Sequence, residues 1–278
     1  MTRTNRARAA CAALLCLLTA ACFLLPGKFS SELALRQDGR FTFTYKGDIH
    51  VLALTKMAQK ELGEEPKFEP QPCYSDETSE ERACTKDELS DQRRSWEEEQ
   101  QAAKAKKKAD AEMMQKMLGG IDPADPRAAE ELAARMRKQS GWRSVQYAGD
   151  GKFVVDFALS SRLEHDFTFP SIEKMPVATP FVALYRRADG TVRVEAPAFS
   201  SASTGGPLGG MAQGMTRDDP GADGIPELDG TFAIVTDGEI LANNTDDGPQ
   251  PVPQGKRLSW TINARSTNAP TALVRLAP

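Results

Sequence analysis

The sequence is poor in the residues that many enzymes use for catalysis. Its 278 residues include only two histidines, His50 and His165, and five cysteines. It contains no G-x-S-x-G turn, no H-E-x-x-H helix and no P-loop, and the glycine-rich run GGPLGG lacks the lysine and hydroxyl that bind phosphate. A serine nucleophile with partners distant in sequence stays open. We therefore predict no catalytic residue, no metal ligand and no cofactor.

No apolar run is long enough for an ordinary transmembrane helix. Ala9–Ala21 is 13 residues long, whereas a membrane-spanning helix needs about 20. Three arginines precede this run, which is the pattern of a cleaved signal peptide over residues 1–21. Its removal would leave 32 basic and 39 acidic side chains, a formal net charge of −7. A protein of that sign has no general attraction for nucleic acid, so we expect no nucleic-acid partner.

The residues before Cys22 are small and apolar. Leu18-Thr19-Ala20-Ala21-Cys22 resembles the bacterial lipobox, which directs acylation of its cysteine. Thr19 stands where leucine is commonest, so an ordinary signal-peptidase site is the alternative. The resemblance implies a lipoprotein held in the membrane through Cys22. By the same analogy, Phe23 after the cysteine implies the periplasmic face of the outer membrane.

Cys73 and Cys84 are the two cysteines left for pairing. Ten residues lie between them, in a polar segment. An even pair in an oxidising compartment is most simply a disulfide. A zinc site would need further ligands, which two histidines scarcely supply. We therefore predict a Cys73–Cys84 disulfide that closes a loop.

Alternating apolar runs separated by turn residues predict β-hairpins. The first spans Phe29–Tyr45 around Asp38-Gly39, and the second and third turn at 149–151 and 188–190. The last block, from residue 230, predicts three or four more strands. The predicted fold class is α+β, an antiparallel β-sheet or sandwich of eight to ten strands with helices inserted between hairpins.

Three helices are predicted. A short one covers Ile49–Leu62, where apolar residues follow a helical period. A long one follows a capping box at Thr85–Glu88 and ends at Gly119-Gly120. A third begins with Asp125 as cap and Pro126 in the first position, runs to about Lys138, and has one apolar face for packing on the sheet.

The long helix has a narrow apolar stripe and is otherwise charged, with four lysines at 104 and 106–108. It is either an arm that docks a partner or anionic surface, or a solvated helix that lies across its own domain. We expect one extracytoplasmic domain over 22–278, with residues 63–120 as an insertion. Gly, Ser, Pro and Asp dominate residues 199–224, which predicts a flexible linker.

Two kinds of polar cluster are candidate sites. Asn243, Asn244, Asp246 and Asp247 form one candidate calcium group, and Asp218, Asp219 and Asp223 form another, but the spacing of ligands fits neither, so turn chemistry is the better explanation. Glu164-His165-Asp166 suggests an acid/base centre. On a strand, however, His165 would face away from both carboxylates.

The chain resembles envelope lipoproteins of proteobacteria in Leu18–Cys22, in PGKFSSELALRQDGRFTFTYKGDI and in FAIVTDGEILANNTDDGP with GKRLSWTIN. The closing block, Phe232–Asn244 with Gly255–Trp260, is also similar to LppM-type lipoprotein domains. The resemblance implies a β-rich extracytoplasmic domain that contacts lipid or envelope glycan. It carries over no catalytic residue.

The sequence therefore favours a membrane-anchored envelope lipoprotein with a non-enzymatic role. Its partner would be an envelope protein or a lipid-like ligand held in a fold of the sheet. The alternatives are a hydrolase with an unrecognised site, for which His165 is the least implausible centre, and a purely structural spacer. Trp142, Phe232 and Trp260 each lie in or beside an apolar strand pattern, so we expect them in the core rather than in a binding site.

Overall fold

The computed structural model describes residues 24–55, 67–74, 80–177, 179–201 and 226–276. Over these ranges the chain forms two α-helices and fourteen β-strands. The helices are α1 (Lys86–Met117) and α2 (Ala128–Arg137). The strands are β1 (Leu24–Leu35), β2 (Arg40–Val51), β3 (Cys73–Tyr74), β4 (Glu81–Arg82), β5 (Trp142–Gly149), β6 (Lys152–Arg162), β7 (Phe167–Phe169), β8 (Val182–Arg186), β9 (Thr191–Glu195), β10 (Asp229–Thr236), β11 (Glu239–Asn243), β12 (Gln250–Val252), β13 (Gly255–Asn263) and β14 (Thr271–Arg275).

A seven-stranded sheet has the order β12-β13-β10-β1-β2-β6-β5. Only β1 and β10 pair in parallel; the other neighbours are antiparallel. The predicted first hairpin is confirmed, and its turn uses Gly39 at φ +81°, a conformation that glycine adopts without steric cost. Its strands are longer than predicted. The helix predicted from Ile49 is wrong at its start, because β2 continues to Val51 and a 3₁₀ turn follows at Leu52–Leu54; residues 56–62 lie outside the described ranges.

A five-stranded sheet, in the order β11-β14-β9-β8-β7, contains the predicted third hairpin β8–β9. The second hairpin, β5–β6, belongs to the large sheet. The mixed α+β class with antiparallel pairing is therefore confirmed. The described ranges hold more strands than expected, because the closing block forms five strands rather than three or four and the predicted disulfide loop contains the short hairpin β3–β4.

The core between the sheets is aromatic. Every second side chain of β2 points inward, and Phe43, Tyr45 and Ile49 are fully buried, as expected for a strand with one face on a core. Phe169 lies within 6 Å of five other rings. Ring packing of this kind stabilises a core beyond simple area burial.

Phe199 corrects the predicted start of the linker. It lies in a short 3₁₀ helix, Pro197–Phe199, is completely buried, and stacks on Phe29 with 4.3 Å between ring centroids. Its ring also meets that of Phe232. Composition predicted a loop here, but the aromatic side chain anchors this residue in the core. Residues 202–224 of the predicted linker lie outside the described ranges.

Helix α2 closes the core beside β5. It buries Ala129, Leu132 and Met136, so the predicted apolar face is confirmed. Its start is later than predicted: the Asp125 carboxylate accepts from the Arg127 backbone N–H (2.8 Å), and the helix begins at Ala128 rather than Pro126. The Asx turn at Asp125 therefore precedes the helix instead of capping it.

Helix α1 has no buried residue along its 32 positions. Its predicted capping box is confirmed, with Thr85 Oγ1 accepting from the Glu88 N–H and Glu88 accepting from the Thr85 N–H. The predicted stop is confirmed by Gly119 at φ +66°. Neither described helix combines the length and the apolar character needed to span a membrane.

A disulfide joins Cys73 to Cys84, as predicted, across the small hairpin β3–β4. The Gln92 amide of α1 donates to the Gln71 carbonyl (3.2 Å) and lies against both sulfur atoms. Phe68 packs edge-on against Trp96. The hairpin is thus held to the first three turns of the helix.

Asn244 links the two sheets at the end of β11. Its side-chain oxygen accepts from Trp260 Nε1 of β13 (3.1 Å) and from the Thr271 N–H of β14 (2.9 Å). Its amide nitrogen donates to the Ala269 carbonyl (2.8 Å). Trp260 in turn stacks on Phe232. Trp142 and Phe232 are core residues, as expected, and Trp260 is partly buried at its edge.

Candidate functional site

The candidate acid/base centre does not assemble. Glu164, His165 and Asp166 precede β7 instead of lying in it, so the strand argument used to discount them does not apply. The Asp166 carboxylate accepts from the Arg186 N–H (3.0 Å). In the described structure no hydrogen bond joins His165 to either acid, and the three residues line a wide, open depression. Asp166 therefore serves to hold β8.

The candidate calcium group at 243–247 is a turn. Asn243 Oδ1 accepts from both the N–H and the hydroxyl of Thr245 (3.1 and 2.6 Å), and Asn244 is used in the link between sheets. Within the described ranges no three His, Cys, Asp or Glu side chains are placed to share a metal ion. Asp218, Asp219, Asp223 and Cys22 lie outside those ranges.

A pocket with an excess of positive charge lies on the outer face of the large sheet, at the end where β1 turns into β2. The pocket holds about 440 Å³ and is open to solvent. We call it the arginine pocket; it is lined by Ala34, Arg36, Arg40, Phe41, Thr42, Ser160, Ser161 and Arg162. Its volume is in the range of small-molecule sites, about 300–1,000 Å³.

Strand register brings the arginines together. Arg40 of β2 is the cross-strand partner of Arg162 of β6. Side chains of directly opposed residues lie about 5 Å apart at Cβ, and like charges there are destabilising. Arg36 joins them from the end of β1. The fold thus places three guanidinium groups in one pocket despite their repulsion.

Asp38 compensates part of this charge. Its carboxylate accepts from the Arg40 side chain (2.6 Å), and its backbone carbonyl accepts from Arg162 (3.0 Å). The hydrogen bond from Arg40 is the main cause of a lowered pKa at Asp38 and a raised pKa at Arg40. Asp38 therefore stays ionised near neutral pH, and one negative charge faces three positive charges.

Arg36 and Arg162 keep most of their donors available. Within the described ranges, each makes one side-chain hydrogen bond, Arg36 to the Gln254 carbonyl (2.8 Å) and Arg162 to the Asp38 carbonyl (3.0 Å), and neither makes a hydrogen bond or salt bridge to a carboxylate. A guanidinium has five N–H donors in a planar fork. That arrangement suits a carboxylate or phosphate group.

A second row of pocket residues carries hydroxyls. Thr42 and Ser160 are cross-strand partners whose hydroxyl oxygens are 2.8 Å apart and hydrogen-bonded. Ala34 is the partner of Thr42 on β1, so this row has short side chains across three strands. The floor beside the arginines therefore carries hydroxyl groups on short side chains.

Another charged cluster lies at the opposite end of the same strands. Lys152 pairs with Asp48 at 2.8 Å, and His50 packs beside them against Gly27. Burial lowers the pKa of His50, although the Asp48 charge opposes that shift. Because Asp48 and Lys152 neutralise each other, this cluster lacks the excess charge of the arginine pocket.

A smaller pocket of about 250 Å³ lies on the five-stranded sheet, where Arg187 and Arg193 meet Asn243, Asn244 and Thr271. Arg193 is already paired with Glu195, and Asn244 is committed to the link between sheets. It offers fewer available donors than the arginine pocket.

Sequence reasoning missed the arginine pocket. Arg40 and Arg162 are 122 positions apart in the chain, and only the β2–β6 register makes them neighbours. The one local signal is Arg36-Gln37-Asp38-Gly39-Arg40, where two arginines flank a tight turn.

Comparison with known proteins adds a weak likeness. No family model and no curated protein matches the chain. The NMR structure of the folded domain of the Mycobacterium tuberculosis LppM protein aligns with 93% of this chain and 92% of that chain, at 12% identity and a TM-score of 0.30. A likeness of this size carries no argument about function.

Proposed function

We propose that this protein is a membrane-anchored envelope lipoprotein whose folded domain binds an oxyanion group, a carboxylate or a phosphate, without enzymatic chemistry. The observation that supports this proposal is the excess of guanidinium donors in the arginine pocket. Two of its three arginines make no hydrogen bond or salt bridge to a carboxylate within the described ranges. An anionic ligand would relieve their repulsion and use their free N–H groups.

The chemistry of the pocket favours binding over catalysis. Arginine stays protonated in proteins and does not exchange protons near neutral pH. The hydroxyls of Thr42 and Ser160 are hydrogen-bonded to each other, and the pocket lining includes no histidine or carboxylate that would act as a base. The hydrolase alternative centred on His165 gains no support from the geometry.

The packing of the interior also indicates where the ligand binds. Aromatic rings from both sheets fill the space between them; Phe29, Tyr45, Phe169, Phe181 and Phe199 contact one another in a chain. An acyl chain between the sheets would have to displace these rings. A ligand on the outer face requires no such rearrangement.

The membrane anchor is supported by the sequence pattern up to Cys22. Intact mass of the protein extracted from membranes, compared with a Cys22→Ala variant, tests it. We expect a chain that begins at an acylated Cys22 and an unacylated variant. A wild-type chain with an unmodified start would remove the anchor from the proposal and leave the pocket unaffected.

Equilibrium dialysis of the full-length protein against labelled inorganic phosphate tests the binding role. We expect saturable binding to the wild type, at least about tenfold weaker binding to Arg36→Gln/Arg162→Gln because charge-assisted hydrogen bonds are lost, and unchanged binding to Arg143→Gln. Arg143 is an exposed arginine of β5 outside the pocket. Equal binding by all three proteins would contradict the proposal.

A further inference from the structure

The proposed function specifies only the acidic group of the ligand. The side chains beside the arginines indicate the chemistry of the rest of the ligand. Beside the arginines, the outer face of the sheet presents the short side chains of Ala34, Thr42 and Ser160. About 440 Å³ is more room than one carboxylate or phosphate group fills. The pocket therefore has room for a second part of the ligand beside the acidic group.

The polarity of the floor selects the chemistry of that second part. Thr42 and Ser160 share one hydrogen bond, and each hydroxyl is both donor and acceptor. After the shared bond is made, the pair still offers one donor and several lone pairs. Arginines, by contrast, only donate. A group that both donates and accepts hydrogen bonds matches this pair of hydroxyls.

We propose, on the basis of the oxyanion role above, that the ligand is an acidic saccharide, a sugar that carries a phosphate or carboxylate. The acidic group lies among Arg36, Arg40 and Arg162, and the sugar hydroxyls lie on Thr42 and Ser160. The pocket is open to solvent, so the saccharide is bound either as a free sugar or as one unit of a longer chain.

The test is isothermal titration calorimetry of the full-length protein in detergent with four probes: inorganic phosphate, glucose, glucose 6-phosphate and glucuronate. We expect both acidic sugars to bind at least about tenfold more tightly than phosphate, because the hydroxyls add hydrogen bonds to the charged contact. Glucose alone, without the charge, binds more weakly than either acidic sugar.

A double variant, Thr42→Val/Ser160→Ala, separates the two parts of the pocket. Removing both partners of one hydrogen bond is close to neutral for folding, and circular dichroism checks that the fold is kept. We expect this variant to bind phosphate as the wild type does and to lose the advantage of the acidic sugars. The Arg36→Gln/Arg162→Gln variant loses phosphate and sugars together, and Arg143→Gln binds all probes normally.

The outcomes distinguish this inference from the proposed function. If phosphate binds and the acidic sugars bind no better, the saccharide is wrong and the oxyanion role stands. Vesicles of phosphatidylglycerol in phosphatidylcholine form a further arm: binding to them that survives Thr42→Val/Ser160→Ala and exceeds sugar binding would assign the pocket to a lipid headgroup. If no anion binds, both proposals are wrong.

Discussion

Two regions of the molecule are stabilised in different ways. The body, formed by β1, β2, β5–β14 and α2, buries an aromatic core in which many side chains are completely inaccessible to solvent. The arm, residues 67–74 and 80–117, includes 32 helical positions of which none is buried. The start of the arm is held by a disulfide, a capping box and the Phe68–Trp96 contact, and at its end Met114 and Met117 pack against the core.

The difference shows which interactions each region depends on. Burial is collective, so a change in the body affects every neighbour in the core. Capping bonds and a disulfide act locally, so a change in the arm alters the first turns of α1 and leaves the sheets intact. The arginine pocket lies on the body, whose rigid strands fix the relative positions of its side chains.

The largest effect is expected from Phe43→Ala. Phe43 is fully buried on β2 and meets three other rings. Removing it leaves a cavity, and we expect a loss of about 3–5 kcal/mol in the free energy of unfolding. Urea unfolding followed by tryptophan fluorescence measures it. The matched control Val154→Ala, on the exposed side of β6, should lower the free energy of unfolding by less than about 0.5 kcal/mol. A similar loss at both positions would contradict the placement of Phe43 in the core.

The arm should respond to Cys73→Ser/Cys84→Ser. The loop-entropy model assigns about 2.5–3 kcal/mol to a crosslink of this span. We expect faster hydrogen exchange in Cys73–Tyr74, in Glu81–Arg82 and in the first turns of α1, with unchanged exchange in β1, β2 and β6. An equal increase in those body strands would show that the two regions are not independent.

Asn244→Ala tests the link between the two sheets. The variant loses three hydrogen bonds, two to backbone groups and one to Trp260. Because these bonds are exposed, we expect a net loss of about 1–2 kcal/mol. The control is Asn268→Ala. Asn268 is an exposed asparagine in the turn before β14, and its side chain makes none of these hydrogen bonds. Equal stability of the two variants would refute the link.

Thr85→Ala removes the cap of α1. Typical caps contribute about 1 kcal/mol, so we expect fraying of the first turn and a small loss of ellipticity at 222 nm. Ser90→Ala, at an exposed position inside the same helix, is the control and should keep the ellipticity of the wild type. The body should unfold at the same urea concentration in both variants.

The smallest effect is a pH dependence at Glu88. A side-chain hydrogen bond from Arg82, followed by one from the Thr85 backbone, lowers the pKa of Glu88 from 4.5 to about 2. Since the folded pKa is below the unfolded one, this stabilisation is present above pH 4.5 and is lost as the pH falls towards 2. Helix content of the wild type minus that of Glu88→Gln should decline in this window. A difference in helix content that does not change with pH would contradict the contact of Glu88 with Arg82 and Thr85.

Local sequence patterns predicted much of the fold. The Asp38-Gly39 hairpin, the Thr85–Glu88 capping box, the Gly119 stop and the Cys73–Cys84 pair are each encoded within a few residues, and the structure confirms them. The helix predicted from Ile49 was wrong because pairing of β2 with β1 and β6 extends the strand to Val51. Tertiary pairing overrides local period there.

The candidate site could not be predicted in the same way. Arg40 and Arg162 become neighbours through a register that no local pattern specifies. The residues that did attract attention, His165 with its acids and the Asn243–Asp247 turn, are polar clusters within one short segment whose hydrogen bonds are structural. A binding site built across strands is visible only after the strands are paired.

Heat unfolding tests the central claim, that the arginine pocket binds an oxyanion, most directly. The melting temperature is measured in sodium phosphate and in sodium chloride at one pH and ionic strength, for the wild type, Arg36→Gln/Arg162→Gln and Arg143→Gln. A ligand at 100 times its Kd stabilises the folded state by about 2.7 kcal/mol. We predict that phosphate raises the melting temperature of the wild type and of Arg143→Gln by several degrees more than that of the pocket variant. The same rise in all three proteins would be a general salt effect and would contradict the claim.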